Sequence, residues 1–179
     1  MIKKFFAAIL LTIIFSFAPN AYAYGKDYIN YQAHVQGIGW LEPVGDGEVV
    51  GTVGESRAME ALIINFPGGI KYRAHVQNIG WLDWSYAGEM TGTVGQNLRM
   101  EAVCIELVGR TAQYYDIYYR AHVQNGGWLG WAKNGEPAGT AGMSLRLEAL
   151  QVYLVEKDQR FRRDDKPSFY QHAVKVPTV

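Results

Sequence analysis

Short stretches of alternating apolar and polar residues recur along the chain. In residues 72–77, Tyr-Arg-Ala-His-Val-Gln, every second residue is apolar, which is the period of a strand with one buried face. Residues 80–84 and 98–107 predict two further strands. Gly88 and the glycines of residues 92–95 indicate turns that need positive φ or close backbone approach. Outside residues 1–23 no convincing helical pattern appears, so the sequence predicts an all-β fold.

The pattern is repeated three times without gaps, at residues 31–65, 72–106 and 119–153. Each copy contains Tyr-x-Ala-His-Val-Gln-x-x-Gly-Trp-Leu, then Gly-Glu, Gly-Thr-x-Gly and Glu-Ala before an apolar run. β proteins remove exposed sheet edges by closure or by radial repetition. We therefore expect three pseudo-symmetric repeats closed into one domain over residues 24–155, in a β-prism-like or β-trefoil-like arrangement.

The two ends of the chain differ from the repeats. Lys3 and Lys4 precede an apolar run at residues 5–18, and residues 21–23 are a small-residue cleavage site. This predicts a signal peptide over residues 1–23, cleavage after Ala23 and a secreted or cell-surface protein, the alternative being a retained membrane anchor. Residues 156–179 are charged and polar, which predicts a flexible C-terminal tail or a segment that becomes ordered on a partner.

Charge and cysteine content narrow the possible partners. Without Lys3 and Lys4, 15 of the 17 basic residues remain against 17 acidic ones, and no basic stripe exists to follow a nucleic acid backbone. The single cysteine, Cys104, has no partner for an intramolecular disulfide. It lies in an apolar run, which is typical of a buried residue rather than a reactive one.

One face of the first strand in each repeat carries a histidine and a glutamine. An imidazole beside a planar amide suits sugar hydroxyls or a peptide backbone, whereas the structural alternative is a histidine paired with a glutamate of its own repeat. The candidate residues are His34, Gln36, His75, Gln77, His122 and Gln124.

The tryptophans are a second set of ligand-binding candidates. An exposed indole stacks on a sugar ring or a protein surface, but core packing is the competing interpretation. Strict alternation places the first tryptophan of each repeat opposite the following leucine and places Trp84 and Trp131 on the leucine face. The candidates are Trp40, Trp81, Trp84, Trp128 and Trp131.

A glutamate occurs at the start of the last strand of each repeat. Period-two alternation places it on the most apolar face of that strand, where a carboxylate must be paired or hydrogen-bonded. We expect the backbone amides of the Gly-Thr-x-Gly loop or the histidine of the same repeat to be the partner. The structural candidates are Glu60, Glu101 and Glu148.

Catalysis, metal binding and cofactor binding are not expected. An active site occurs once in an asymmetric pocket, whereas every candidate residue here is triplicated. One histidine per repeat without a cysteine gives no zinc spacing, and the Gly-Thr-x-Gly loops lack the lysine and helix of a phosphate loop.

Residues 72–81 and 92–102 resemble the clostridial hydrophobic repeats with a characteristic tryptophan, known as ChW repeats. The resemblance implies an exported protein of the kind found in anaerobic Gram-positive bacteria, which binds extracellular proteins or polysaccharides. We expect recognition of carbohydrate or cell-envelope polysaccharide through repeated shallow sites, the alternative being protein–protein adhesion or scaffolding. The first repeat departs from the pattern at Pro43 and Ala58, where the others have tryptophan and arginine. We therefore expect any site in that repeat to be altered.

Overall fold

The computed structural model describes residues 29–172. They fold as strands with one short 3-10 turn at Thr111–Gln113, which confirms the all-β prediction. The first repeat contains β1 Asn30–Val35, β2 Gly39–Trp40, β3 Val44–Gly45, β4 Val49–Gly51 and β5 Met59–Asn65. The second contains β6 Ile70–Val76, β7 Gly80–Trp81, β8 Ser85–Tyr86, β9 Met90–Gly92 and β10 Met100–Leu107. The third contains β11 Tyr115–Val123, β12 Gly127–Trp128, β13 Ala132–Lys133, β14 Ala138–Ala141 and β15 Leu147–Glu156, and β16 Phe169–Gln171 follows.

The repeats exchange one strand each, in a cycle. Sheet 1 consists of β1, β2, β3 and β5 with β9 from the second repeat, which pairs with β5. Sheet 2 consists of β6, β7, β8 and β10 with β14 from the third repeat and β16 beyond it. Sheet 3 consists of β11, β12, β13 and β15 with β4 from the first repeat. No repeat is therefore complete without another.

The first glycine of each Gly-Thr-x-Gly segment makes this exchange possible. A Cβ atom on Gly92 would lie 2.3 Å from the carbonyl oxygen of Glu60 on the neighbouring strand, and Gly51 and Gly139 meet Glu148 and Glu101 in the same way. The three glycines also have positive φ, between 98° and 121°. The sequence-based expectation of positive φ or close backbone approach is confirmed, and both occur at the same residues.

A tyrosine from each repeat joins it to the preceding one through the core. Tyr31, Tyr72 and Tyr119 are fully buried in a single apolar cluster. Their hydroxyl oxygens accept hydrogen bonds from backbone N–H groups of another repeat, at 3.1 Å from Val152, 3.0 Å from Ile64 and 2.9 Å from Ile105. Each hydroxyl also donates to a carbonyl of its own repeat, on Glu48, Glu89 and Glu136. The first tyrosine of the motif thus fixes the register between repeats as well as filling the core.

The C-terminal segment packs against the third repeat, where the sequence predicted a flexible tail. Phe161 stacks on Tyr118 with ring centroids 4.2 Å apart and also contacts Trp131. Further on, β16 pairs in parallel with β14. Two features hold the segment: the aromatic ring of Phe161 and the sheet edge offered by β14. The charged composition of the segment indicated neither of them. Residues 173–179 lie outside the described range.

The three repeats form three sheets rather than one closed barrel within residues 29–172. The coarse prediction of a three-repeat all-β fold is confirmed, whereas closure as a prism or a trefoil is not. The predicted signal peptide and its cleavage site lie outside the described residues. No helix in residues 29–172 has the length and apolar character needed to cross a membrane.

Candidate functional site

Histidine, glutamate and tryptophan come together on the outer face of each sheet. Cross-strand pairing sets the tryptophan of β2, β7 or β12 directly opposite the histidine, and the rings meet edge to face at centroid distances of 5.3–5.4 Å. The histidine Nδ1 lies 3.0, 3.3 and 3.0 Å from a glutamate oxygen in the pairs His34–Glu60, His75–Glu101 and His122–Glu148. Each histidine is therefore held within its own repeat, as the structural alternative required.

A β-bulge brings the glutamate to the outer face. The register shifts between His34 and Val35, so that Met59 pairs with Val35 and Ala61 with His34. Glu60 is the extra residue, and Met59 takes the core position in its place. The prediction that these glutamates point into the core is wrong because alternation fails at a bulge. The same shift occurs beside Glu101 and Glu148.

An arginine binds the carboxylate in the second and third repeats. Arg99 donates through two nitrogens to Oε1 of Glu101, at 3.1 and 2.8 Å, and Arg146 binds Glu148 through the same two groups. These carboxylates are more than nine-tenths buried, so the guanidinium compensates charges that water does not reach.

The first repeat lacks this arginine because Ala58 occupies its position. Arg57, one residue earlier, instead donates to the backbone carbonyl of Gln36 and contacts Glu55. Only here is the contact between histidine and glutamate aligned as a hydrogen bond. Nδ1 of His75 and of His122 has no aligned hydrogen-bond partner among the described residues.

None of the tryptophans belongs to the main apolar cluster, although Trp131 is buried, and four of them flank arginines. The guanidinium of Arg73 lies 5.0 Å from the ring centroid of Trp81 and 4.7 Å from that of Trp84, and Arg120 lies between Trp128 and Trp131 in the same way. Trp84 and Trp131 therefore face the first tryptophan of their repeat rather than sharing the leucine face. The prediction that Trp84 and Trp131 share the face of the leucines is wrong. It assumed continued alternation, whereas β7 and β12 end at Trp81 and Trp128.

The tryptophans differ in accessibility. Trp131 is only 8% exposed because Phe161 covers it, whereas Trp40 is 40% exposed. The first repeat has Gln32 and Pro43 in place of the arginine and the second tryptophan. Trp40 is therefore the most open aromatic surface of the five tryptophans.

The three glutamines converge on one polar pocket of about 300 Å³, here called the glutamine pocket. Gln36, Gln77 and Gln124 line it together with Arg99 and Arg146. Asn97 closes one side, since its Oδ1 accepts a 2.6 Å hydrogen bond from Nε2 of Gln36. The sequence predicted three separate glutamine surfaces, whereas the fold gathers all three side chains in one place.

A second cavity of about 350 Å³ lies between the second and third repeats, here called the inter-repeat cleft. The second repeat contributes His75, Gln77, Arg99 and Glu101, together with the exposed side chain of Ile79. The third contributes Gly142 and Ser144 from its Gly-Thr-x-Gly loop. Gln77 and Arg99 line both cavities.

Sequence reasoning missed the loop residues Asn97 and Ser144. Both have positive φ and follow the second glycine of Gly-Thr-x-Gly by two residues. A polar residue with this backbone geometry at the tip of a loop was the available signal. What the sequence did not provide was the neighbour, because each loop meets the glutamine of another repeat.

Cys104 takes no part in either cavity. It is buried, and burial raises the pKa of its thiol, although the Arg73 guanidinium acts in the opposite direction. The thiol therefore has the character of a buried apolar group.

The Clostridial hydrophobic W (ChW) family matches residues 34–68, 75–109 and 122–156. These ranges cover more than half of the chain and keep the spacing of the three repeats. The chain belongs to the ChW family. The resemblance found in the sequence is thereby confirmed. The tryptophan that all three repeats share, here called the ChW tryptophan, is the one that contacts the histidine in each sheet. Neither a curated protein nor a solved structure matches the chain.

Proposed function

We propose that this ChW protein is an exported, non-enzymatic module that binds carbohydrate through polar cavities between its repeats. The observation that carries the proposal is the inter-repeat cleft, where Gln77, Arg99 and Glu101 meet Ser144 of the next repeat. Amide, guanidinium, carboxylate and hydroxyl groups supply donors and acceptors in the density that sugar hydroxyls require. Ile79 adds an apolar surface for the C–H face of a sugar ring.

Charge pairing narrows the class of glycan. Glu101 is bound by Arg99 and lies beside His75, so the cleft has no carboxylate or guanidinium without an opposite charge. Such a cleft favours neutral polysaccharide over strongly acidic polymers. The separate sheets and their cyclic strand exchange support closure of the three repeats as a β-prism-like domain, which would present repeated sites on one body.

A glycan array probed with the chain from Tyr24 to Val179 tests this proposal, followed by titration of the glycans that bind. Gln77→Ala combined with Gln124→Ala should weaken binding at least about tenfold, which corresponds to roughly 1.4 kcal/mol. Neither glutamine side chain has a hydrogen-bond partner among the described residues, so the melting temperature should stay within a few degrees. Gln159→Ala is the matched control, because Gln159 is exposed and lines neither cavity. Absence of any glycan ligand, or equal binding by the double variant, would contradict the proposal.

The second candidate function is adhesion to another protein. One observation favours it: the chain's own C-terminal segment already binds a sheet edge as an extended peptide.

A further inference from the structure

Strand β16 occupies the outer edge of sheet 2 as an added strand. Phe169, Tyr170 and Gln171 pair in parallel with Gly139, Thr140 and Ala141. The N–H group of Gly139 donates a hydrogen bond of 2.9 Å to the carbonyl oxygen of Ser168. The N–H group of His172 donates one of 3.1 Å to the carbonyl oxygen of Ala141. The Phe169 ring lies 6.4 Å from that of Trp81. The segment is thus held by backbone pairing and by one aromatic side chain on the ChW tryptophan.

The corresponding edges of the other two sheets have no such neighbour among residues 29–172. Sheet 1 ends at β9 and sheet 3 ends at β4. The N–H groups of Thr93 and Thr52 donate hydrogen bonds inward, to the carbonyl oxygens of Glu60 and Glu148 respectively.

In sheet 2 the N–H groups that face β16 belong to Gly139 and Ala141. Their equivalents are Gly92 and Val94 in the second repeat and Gly51 and Val53 in the first, and the two valines lie just beyond the ends of β9 and β4. Because inward and outward N–H groups alternate along an extended chain, this equivalence predicts that all four N–H groups face outward.

Exposure differs between the occupied edge and the open edges. Ala141, next to β16, is 4% exposed, whereas its equivalents Val53 and Val94 are 52% and 41% exposed. At the other end of the open strands, Val49 and Met90 are 42% and 46% exposed. Neither edge strand contains proline, lysine or another charged residue, which are the usual means of protecting an edge.

Each open edge also has its own ChW tryptophan in the same sheet. Trp81 and β14 belong to sheet 2, Trp40 and β9 to sheet 1, and Trp128 and β4 to sheet 3. Trp40 is 40% exposed, whereas Trp81 is in contact with Phe169. The surface that receives Phe169 in sheet 2 therefore has an uncovered counterpart in sheet 1.

We propose that β9 and β4 are docking sites for an extended peptide of a partner protein, bound by strand addition with an aromatic side chain against Trp40 or Trp128. The occupant has the chemistry that β16 shows: a short extended segment without internal structure and an aromatic residue at the position of Phe169. Main-chain hydrogen bonds supply the affinity and the tryptophan supplies the selectivity for an aromatic side chain. This surface is distinct from the inter-repeat cleft, so the inference goes beyond the proposed carbohydrate binding.

A labelled peptide with the sequence of residues 166–172 is the probe, and fluorescence anisotropy with the intact chain is the measurement. The chain's own segment occupies β14, so we expect saturable binding to β9 and β4. A peptide with alanine in place of its phenylalanine should bind at least about tenfold more weakly. Val53→Pro combined with Val94→Pro removes one of the two outward N–H groups at each edge and should reduce binding by a similar factor. The inward hydrogen bonds of Thr52 and Thr93 remain.

Val53→Thr combined with Val94→Thr is the matched control, since it keeps both N–H groups and should keep binding. Circular dichroism of every variant verifies the fold. Equal binding by the proline and threonine variants would place the peptide on β14 by exchange and overturn the proposal, as would the absence of binding. Concentration-dependent self-association that the prolines abolish would identify a second copy of the chain as the occupant, which also overturns it.

Discussion

At the scale of single residues, the three buried glutamates differ in one partner. Glu101 and Glu148 each lie beside a histidine and are bound by an arginine, whereas His34 is the one charged or titratable partner of Glu60 among residues 29–172. An uncharged amide in place of Glu101 or Glu148 would leave a largely buried guanidinium without its counter-charge.

We therefore expect Glu101→Gln to lower the free energy of unfolding by about 1–3 kcal/mol. Glu60→Gln, the matched control, should cost clearly less because no arginine loses its partner. Urea denaturation at neutral pH measures both. Equal losses in the two variants would show that the arginine contributes nothing to the stability of the second repeat.

The buried tyrosines make stability sensitive to alkaline pH. Burial raises the pKa of Tyr72 to about 12, while its hydrogen bond with Ile64 acts in the opposite direction. The pKa values of Tyr31 and Tyr119 are raised as well. Above about pH 10 the unfolded chain loses these phenolic protons while the folded chain retains them, so the free energy of unfolding falls as the pH rises.

Tyr72→Phe should make that decline less steep between about pH 10 and pH 12. In the variant, two buried tyrosines instead of three contribute to the difference in bound protons between the folded and the unfolded chain. It should also cost about 1–2 kcal/mol at neutral pH, since the Ile64 N–H loses its acceptor. Urea midpoints measured across this pH range provide the test. An unchanged pH dependence in the variant would contradict the assignment.

At the scale of elements, strand exchange depends on the close approach of β9 to β5. Gly92→Ala places a methyl group against the Glu60 carbonyl and should cost about 2–5 kcal/mol. Gly95→Ala is the matched control, because Gly95 also has positive φ but has open space around it. It should cost only about 1 kcal/mol of backbone strain. Similar melting temperatures for the two variants would refute the close-approach argument.

Docking of the C-terminal segment depends on Gly130. A Cβ atom there would lie 1.8 Å from the carbonyl oxygen of Lys166, and its N–H donates to Pro167. The other repeats have Glu42 and Asp83 at this position, so only the third repeat has room for the segment.

Gly130→Ala should release residues 166–172, with faster hydrogen–deuterium exchange at the β16 amides and little change in the three sheets. Gly45→Ala serves as the control, since its nearest atom is an ordinary 3.5 Å contact. Unchanged exchange at β16 in the Gly130 variant would show that the aromatic anchor is sufficient without this glycine.

At the scale of the whole molecule, each repeat depends on its neighbours. A fragment of residues 72–106 retains β9 without its partner β5, and β10 without its partner β14. The Tyr72 hydroxyl also loses its contact with Ile64. We expect this fragment to be unfolded or aggregated, as judged by circular dichroism and gel filtration. Cooperative thermal unfolding of the fragment as a monomer would refute the interdependence of the repeats.

The strand class, the three repeats and the residues that share a face on each first strand could be predicted from the amino-acid sequence. Alternation is visible within a few neighbouring residues, and repetition is visible when segments of the chain are compared with one another, so neither requires knowledge of tertiary contacts. The His75–Glu101 contact was also foreseen as an alternative, since a buried carboxylate requires a partner, and the histidine of the same repeat was one of two candidates beside the backbone amides of the Gly-Thr-x-Gly loop.

The direction of the glutamate side chains and the pairs of repeats that share a cavity could not be predicted without the folded structure. The bulge beside Glu101 changes the face of one residue without a distinctive local signal, and the cleft joins Gln77 to Ser144 across two repeats. Docking of the C-terminal segment, which carries Phe169 to the edge of sheet 2, requires that residue 130 has no side chain. Gly130 is distant in sequence from this segment. Pairing between distant strands is set by the summed packing of the core, so periodicity within one repeat contains no information about which repeat supplies the neighbouring strand.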